Sequence, residues 1–432
     1  MPDVDAVVVG AGPAGSAAAL ALARAGRSVL LLERGPFPGA KNMYGGVVYP
    51  RVLDGVLPGW WEEAPVQRWV TRRSTMLLTD TQALTVDFRT DAWDRPPYNG
   101  ATAYRADFDA WLAAKAQAAG AELVCSTTVV GLLHDGDRVV GVRTDRPGGD
   151  VTARVVIACD GVNSFVAKEA GLYGSADQND FTVGVKETLA LPKEVIDERF
   201  GVRDRQGVDI EILGGTSGVP GGAFVYTNLE TLSVGVVLKL PALAAQTRRP
   251  EEIIAGLKAH PAIAPLVDGA ELKEFSAHVI PEGGYHMIPT LTGDGLLVAG
   301  DAAALCLAAG IWLEGVNFAL GSGLAAGETA AAAIAAGDTS AAGLGAYRTA
   351  LERSFVLEDH RRLRDVPHLV LSDRVQQQYP GFICNVAERM FRVDNPTPKP
   401  GLRRIVRQEA KRAGVRLRDL AKDAWTAARG FG

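Results

Sequence analysis

Near its N-terminus the chain reads Asp5-Ala6-Val7-Val8-Val9-Gly10-Ala11-Gly12-Pro13-Ala14-Gly15-Ser16. Ala6 to Val9 make a short apolar strand of the kind buried on both faces. An alanine-rich helix, Ser16 to Ala25, follows and is stopped by Gly26. Gly10 permits the sharp strand-to-helix turn, Gly12 lets a pyrophosphate approach bare backbone, and Gly15 lets helix and strand pack closely. The helix N-terminus then faces the phosphate charge. A second parallel strand, Val29 to Leu32, leads to Glu33, 18 residues beyond Gly15, where a carboxylate meets a ribose diol. The pattern predicts a βαβ dinucleotide-binding unit over Asp5 to Glu33.

Two more apolar strands follow far downstream, Val155 to Ala158 and Leu296 to Ala299. They end in Asp160-Gly161 and Gly300-Asp301, a Gly/Asp pair in opposite orders. The nucleotide domain is therefore discontinuous. Between its pieces, Thr75 to Phe88 and Val208 to Leu240 alternate with period two and read as a second, antiparallel sheet. After Gly343 the pattern is helical, with an interruption at Tyr379-Pro380, a linker over Asn395 to Pro400, and a basic tail. The expected division is a dinucleotide domain in three parts (1–74, 101–172 and 281–345), a substrate domain (75–100 and 173–280) and a C-terminal helical region (346–432). The fold class is α/β: a Rossmann-like domain with a parallel sheet, an antiparallel-sheet substrate domain, and C-terminal helices.

The chain has 432 residues, 47% hydrophobic and 22% charged, too long for one compact core and too apolar for disorder. The first residues lack the basic and apolar regions of a signal peptide, and no run of 18 uncharged apolar residues predicts a transmembrane helix. The four cysteines are dispersed, which points away from a disulfide framework, a metal site or an iron–sulfur cluster within this chain. They read as buried apolar residues in a reducing cytoplasm. Net charge is −5, yet nine Lys/Arg against three Asp/Glu follow from Gly401 onward. Nucleic acid is not an expected partner.

FAD rather than NAD follows from the later pieces. An Asp at the end of a buried strand, Asp301, is placed to take a ribityl hydroxyl, with helix capping as the plainer role. Gly310 to Asn317 leads into the helix Asn317 to Ala336, whose N-terminus favours the negative charge of a reduced flavin. Asp160-Gly161 is the corresponding turn near the pyrophosphate, or an ordinary turn. Arg105, at the start of the helix Tyr104 to Leu112, reaches the cofactor phosphates or remains a surface arginine. Lys41-Asn42 and Gly45-Gly46 form a loop along the ribityl chain or on the surface.

The runs Gly39-Ala40-Lys41-Asn42-Met43-Tyr44-Gly45-Gly46, Val183-Gly184-Val185-Lys186-Glu187, Pro281-Glu282-Gly283-Gly284-Tyr285, Gly300-Asp301-Ala302-Ala303 and Glu314-Gly315-Val316-Asn317-Phe318-Ala319-Leu320 resemble FixC. So do the helix Tyr104–Leu112 and the stretch from Tyr347 to Asp359. FixC is the bacterial relative of electron-transfer-flavoprotein:quinone oxidoreductase, and the likeness covers most of the chain in one order. It implies a flavin that receives electrons from an electron-transfer flavoprotein and passes them to a membrane quinone. Cofactor contacts are then expected at Gly10, Gly12, Pro13, Ala14, Gly15, Glu33, Arg34, Lys41, Asn42, Gly45, Gly46, Arg105, Val129, Asp160, Gly161, Asp301, Gly310, Gly315, Val316 and Asn317. Gly221-Gly222-Ala223-Phe224-Val225-Tyr226 resembles the GGxFxY strand whose glycines contact the quinone, with a glycine bulge as the plainer reading. The chain lacks the iron–sulfur domain of the mitochondrial-type enzymes, which implies a separate small ferredoxin-like subunit.

The flavin is the redox group, so no general acid or base is assigned; Tyr285 and His286 are the candidates kept. Rival readings are a geranylgeranyl-reductase-like enzyme and a flavin monooxygenase or halogenase, although the WxWxIP element of halogenases is absent. Glu33, Arg105, Asp160 and Asp301 together argue against a flavin-free prenyl-protein escort. A quinone substrate predicts a peripheral position on the cytoplasmic face of the cell membrane. Two pieces suit that surface: the apolar stretch from Tyr379 to Cys384 with Val386, Met390 and Phe391, and the basic tail with Leu402, Ile405, Val406, Leu417, Leu420 and Trp425.

Overall fold

The computed structural model describes residues 2–41, 46–173 and 177–431. Its first sheet is built on the strand Val4–Val9, which pairs in parallel with Val29–Leu32 on one side and Val151–Ala158 on the other. Leu296–Val298 and Glu122–Val124 extend it in parallel on either side, and the short antiparallel strand Thr292–Gly293 lies beyond the first of these. The residues 6–9, 29–32 and 155–158 are almost all below a tenth exposed, as strands covered on both faces require. Three segments far apart in sequence thus meet in one sheet, and their C-terminal ends open on one side.

The nucleotide helix is Pro13–Arg24, three residues ahead of its sequence-based start, because Pro13 suits the first helical turn. It crosses the long helix Val316–Ala336 at very close range. A Cβ on Gly323 would lie 2.1 Å from the Ala14 carbonyl oxygen, and one on Gly327 2.4 Å from that of Ala18. Small residues on both helices permit that approach, and it brings the two helices against each other. Among the described residues Val316–Ala336 is long and apolar enough to cross a membrane, but 72% of its apolar window is buried inside the protein.

Among the described residues the second sheet has nine strands, with a separate core that includes Val185, Ile210, Val225 and Val236. Gly221–Thr227 and Thr231–Lys239 form a hairpin, and Gln206–Leu213 pairs antiparallel with the first of these. The strand expected from Thr75 begins at Val66 and runs to Leu78, pairing in parallel with Gln206–Leu213. Gly46–Val48 and Ala101–Ala103 also join this sheet. The expected boundary at residue 74 therefore falls inside one strand. Charges at Arg68, Arg72 and Arg73 obscured its period, since Arg68 is buried against the carbonyls of Gln206 and Asn228.

Tyr379-Pro380 lies where a π-helical turn, Arg374–Gln378, passes into the helix Tyr379–Phe391, with Pro380 in the first α-helical turn. The tail folds into Leu402–Arg412 and Leu417–Phe431. Tyr379 and Phe382 are buried with Ala410 and Val415, and Asp423 takes two bonds of 2.8 Å from Arg374 and one of 2.6 Å from the Tyr379 hydroxyl. The apolar stretch expected at a membrane is thus divided. Tyr379, Phe382, Cys384 and Ile405 face inward, whereas Phe391 is 80% and Trp425 67% exposed.

Candidate flavin site

The glycine turn behaves as three separate constraints. Gly10 has φ +98°, and a Cβ there would meet the Cys159 carbonyl oxygen at 2.5 Å. A Cβ on Gly15 would sit 1.8 Å from the Gly10 carbonyl oxygen, so helix and strand touch backbone to backbone. At Gly12 nothing lies within 4 Å of the Cβ position. That open backbone borders a cavity of about 540 Å³.

The cavity runs from the nucleotide turn to the second sheet. Gly10, Gly12, Pro13, Ala14, Glu33, Arg34, Lys41, Gly46, Arg105, Val129, Asp160, Gly161, Asp301, Gly315 and Val316, all expected as cofactor contacts, line it. Gly15 stands behind the turn, and Gly310 and Asn317 lie off the lining. Asn42 and Gly45 fall outside the described residues, as do Met43 and Tyr44.

Glu33 is buried at the cavity edge and accepts from the Ala11 amide at 3.0 Å and the Gly35 amide at 2.6 Å. Its carboxylate therefore fixes the glycine loop as well as presenting oxygens to the cavity. Arg105 makes a forked pair with Asp109, 2.8 and 2.9 Å, on the next helical turn. Burial holds the Asp109 carboxyl above its ordinary range despite the guanidinium. Asp160 receives bonds from the Ser164 hydroxyl (2.6 Å) and the Val166 amide (3.1 Å), so it caps the helix Phe165–Glu169 while bordering the cavity. Asp301 also lines the cavity, with the Cys306 thiol 3.4 Å from its carboxylate.

These residues fit a dinucleotide. The open backbone at Gly12 admits a diphosphate, and the N-termini of Pro13–Arg24 and Val316–Ala336 both border the cavity, where their peptide dipoles favour anionic groups. The Asn317 side chain donates to Glu314, and its carbonyl oxygen is buried without a partner among the described residues.

Gly221 and Gly222 do not line the cavity. A Cβ on Gly221 would meet the Val237 carbonyl oxygen at 1.9 Å, and its amide donates to Gln376 at 2.9 Å, so strand packing alone accounts for that glycine. Tyr226, Val237 and Ile280 are among the second-sheet residues that reach the cavity wall. Tyr285 and His286 lie outside the lining as well.

The sequence reading missed an ionic group on that wall. Arg73 bonds Asp209 at 3.1 Å, Glu211 at 2.8 Å and the Ile311 carbonyl at 2.5 Å, with Tyr49 beneath its guanidinium. Burial pushes both carboxyls up, and the neighbouring Asp209 charge pushes Glu211 further. The available signal was the alternation Val208-Asp209-Ile210-Glu211-Ile212, which sends two acids to one face of a strand buried on both. Glu282, also missed, is buried in the lining, and desolvation pushes its carboxyl up to about 7.

Comparison with known proteins agrees with this geometry. Residues 5–183 match the family described as FAD dependent oxidoreductase, and residues 366–432 the ETF-QO/FixC family C-terminal domain. The chain is 39% identical to the probable electron transfer flavoprotein-quinone oxidoreductase YdiS of Escherichia coli K12, over 97% of each chain. It is 40% identical to the protein FixC of Rhizobium meliloti, over 91% of each. A geranylgeranyl bacteriochlorophyll reductase-like structure from Thermoplasma acidophilum shares the fold, with TM-score 0.72 at 20% identity over 97% of this chain and 99% of that one. The flavin-dependent brominase Bmp2 does so with TM-score 0.65 at 18% identity, over 95% and 99%. The chain belongs to the ETF-QO/FixC family and is an FAD-dependent oxidoreductase.

Proposed function

We propose that this protein passes electrons from an electron-transfer flavoprotein to a membrane quinone, within a multi-subunit complex that includes a small ferredoxin-like iron–sulfur subunit. The observation that carries this reading is the likeness, over 97% of both chains, to a relative whose name states that activity. The flavin supplies the redox chemistry, taking up and releasing electron pairs. The chain's own residues bind and orient it. Gly12 and the two helix N-termini face its anionic groups, Glu33 and Asp301 are placed for its hydroxyls, and Arg105 stands between them.

The second-sheet wall, with Tyr226, Val237 and Ile280, offers an apolar side for a quinone ring next to the flavin. The test is anaerobic reduction of the bound flavin by reduced electron-transfer flavoprotein, followed by mixing with quinone analogues. Rapid flavin reoxidation with quinol formation is expected. Reoxidation by an isoprenoid double bond instead, or rapid turnover with nicotinamide alone, sinks the reading.

A quinone with an isoprenoid tail places the protein on the inner face of the cell membrane, without crossing it. Phe391, Trp425 and Leu402, exposed among basic residues, suit that contact. Phe391→Ser with Trp425→Ser should shift stability by under about 0.5 kcal/mol, since both are exposed, yet weaken flotation with anionic liposomes at low salt. Unchanged flotation removes this surface from the proposal. Deletion from Gly401 is the poorer test, because it would uncover Tyr379 and Phe382.

A further inference from the structure

The cluster on the second-sheet wall has more acids than cations. Asp209 and Glu211 project from one face of Gln206–Leu213, and Arg73 from Val66–Leu78 is the guanidinium that touches both. Glu314 comes from the segment before the long helix, and Tyr49 closes the group; all but Arg73 border the cavity. Asp209 is 1% and Glu211 6% exposed. One Asp209 carboxylate oxygen is buried, with no hydrogen-bond partner among the described residues. A single cation cannot compensate two desolvated carboxylates, so the pair retains a proton where exposed acids have lost theirs.

We propose that Glu211, steadied by Arg73 and Asp209, donates a proton to the carbonyl oxygen of the substrate quinone as it is reduced. The inference rests on the quinone reading given above. The balance is closed. A quinone becoming a quinol takes two electrons and two protons. A reduced flavin held in this cavity would supply both electrons and one of the protons. The second proton must come from elsewhere, and a neutral carboxyl on the same cavity wall supplies it, to be replaced from solvent. Other titratable groups on the cavity lining include His278, Glu282, Asp301 and the Arg105–Asp109 pair, with Glu33, Arg34, Lys41 and Asp160 around the nucleotide strands. Of these, Glu282 also borders a polar pocket with Asp180, Lys239 and His368, on the side from which that replacement can arrive.

Two measurements on the FAD-loaded protein test this. Infrared titration in H₂O and D₂O should show a protonated carboxyl band persisting above pH 7 in the wild type and lost in Glu211→Gln. Stopped-flow mixing of the reduced protein with a quinone analogue should show quinol formation slowed about 100-fold in Glu211→Gln, the scale of a lost general acid. Its pH profile should also lose one ionisation. Transfer to ferricyanide, which takes up no proton, should slow far less, and Glu211→Asp should recover part of the quinone rate. Equal slowing with both acceptors would mark a structural role, and an unchanged quinone rate or a missing band in the wild type would overturn the proposal. A wild type that reduces no quinone overturns the functional reading itself, and is distinguished because the failure then precedes any substitution.

Discussion

The two walls of the flavin cavity are built on opposite principles. The nucleotide wall is backbone: Gly10, Gly12 and the two helix N-termini, where side chains have been removed to let a ligand approach. The second-sheet wall is side chain: buried Asp209 and Glu211, backed by Arg73, with Tyr226, Val237 and Ile280 also on the lining. Binding a fixed diphosphate calls for exposed N–H groups and no bulk. A wall that meets the reacting partner instead gains from groups whose charge can change. The first wall therefore responds to substitution through volume and the second through pH.

The largest effect is expected within the glycine turn. Gly15→Val would place its Cβ 1.8 Å from the Gly10 carbonyl oxygen, and should cost more than about 4 kcal/mol and leave little folded protein. Gly12→Val meets nothing within 4 Å, so it should unfold cooperatively near the wild-type midpoint yet purify colourless. Flavin absorbance beside a denaturation curve reads both. A yellow Gly12→Val protein would break the assignment of the diphosphate to this turn.

Next in size is Arg73→Met, which leaves Asp209 and Glu211 buried without their cation. At pH 8 the loss should be about 3–5 kcal/mol. It should shrink at pH 5, because carboxyls that take up protons no longer need the guanidinium. A loss independent of pH would mean the cluster is held by packing alone.

The smallest effect concerns Glu282. Its folded-state carboxyl is raised to about 7 from an ordinary 4.5, so the folded protein keeps a proton that the unfolded chain has released. That contribution is fully present below about 4.5 and is lost as pH rises to about 7, on the order of 3 kcal/mol. Glu282→Gln should flatten this part of the stability curve, measured by denaturant midpoints across that range. Parallel curves for variant and wild type would remove Glu282 as a buried acid.

Much of the nucleotide wall was legible because its constraints are local. A strand, a turn and a helix within residues 4–24 each carry their own signal, and the Gly/Asp pairs mark the later strand ends without any knowledge of how those strands meet. The second sheet was harder to read. Arg68, Arg72 and Arg73 interrupt the apolar period of Val66–Leu78, and apart from Asp87 beside Arg72 their carbonyl and carboxylate partners lie more than a hundred residues away. Gly221 shows how a glycine suggestive of ligand contact can also be required by strand packing, here against the Val237 carbonyl.

The sequence by itself determined the dinucleotide turn, the discontinuous two-sheet organisation and the family, since these rest on short-range periodicity and on residues in a fixed order. Tertiary structure alone decided three matters. It showed which tail residues face inward, how closely Ala14 and Ala18 pack on Gly323 and Gly327, and that Asp209, Glu211 and Arg73 share one buried site beside the flavin cavity. The reason is physical. Burial, close approach and the charge a carboxyl carries depend on what stands opposite, and that neighbour comes from distant parts of the chain.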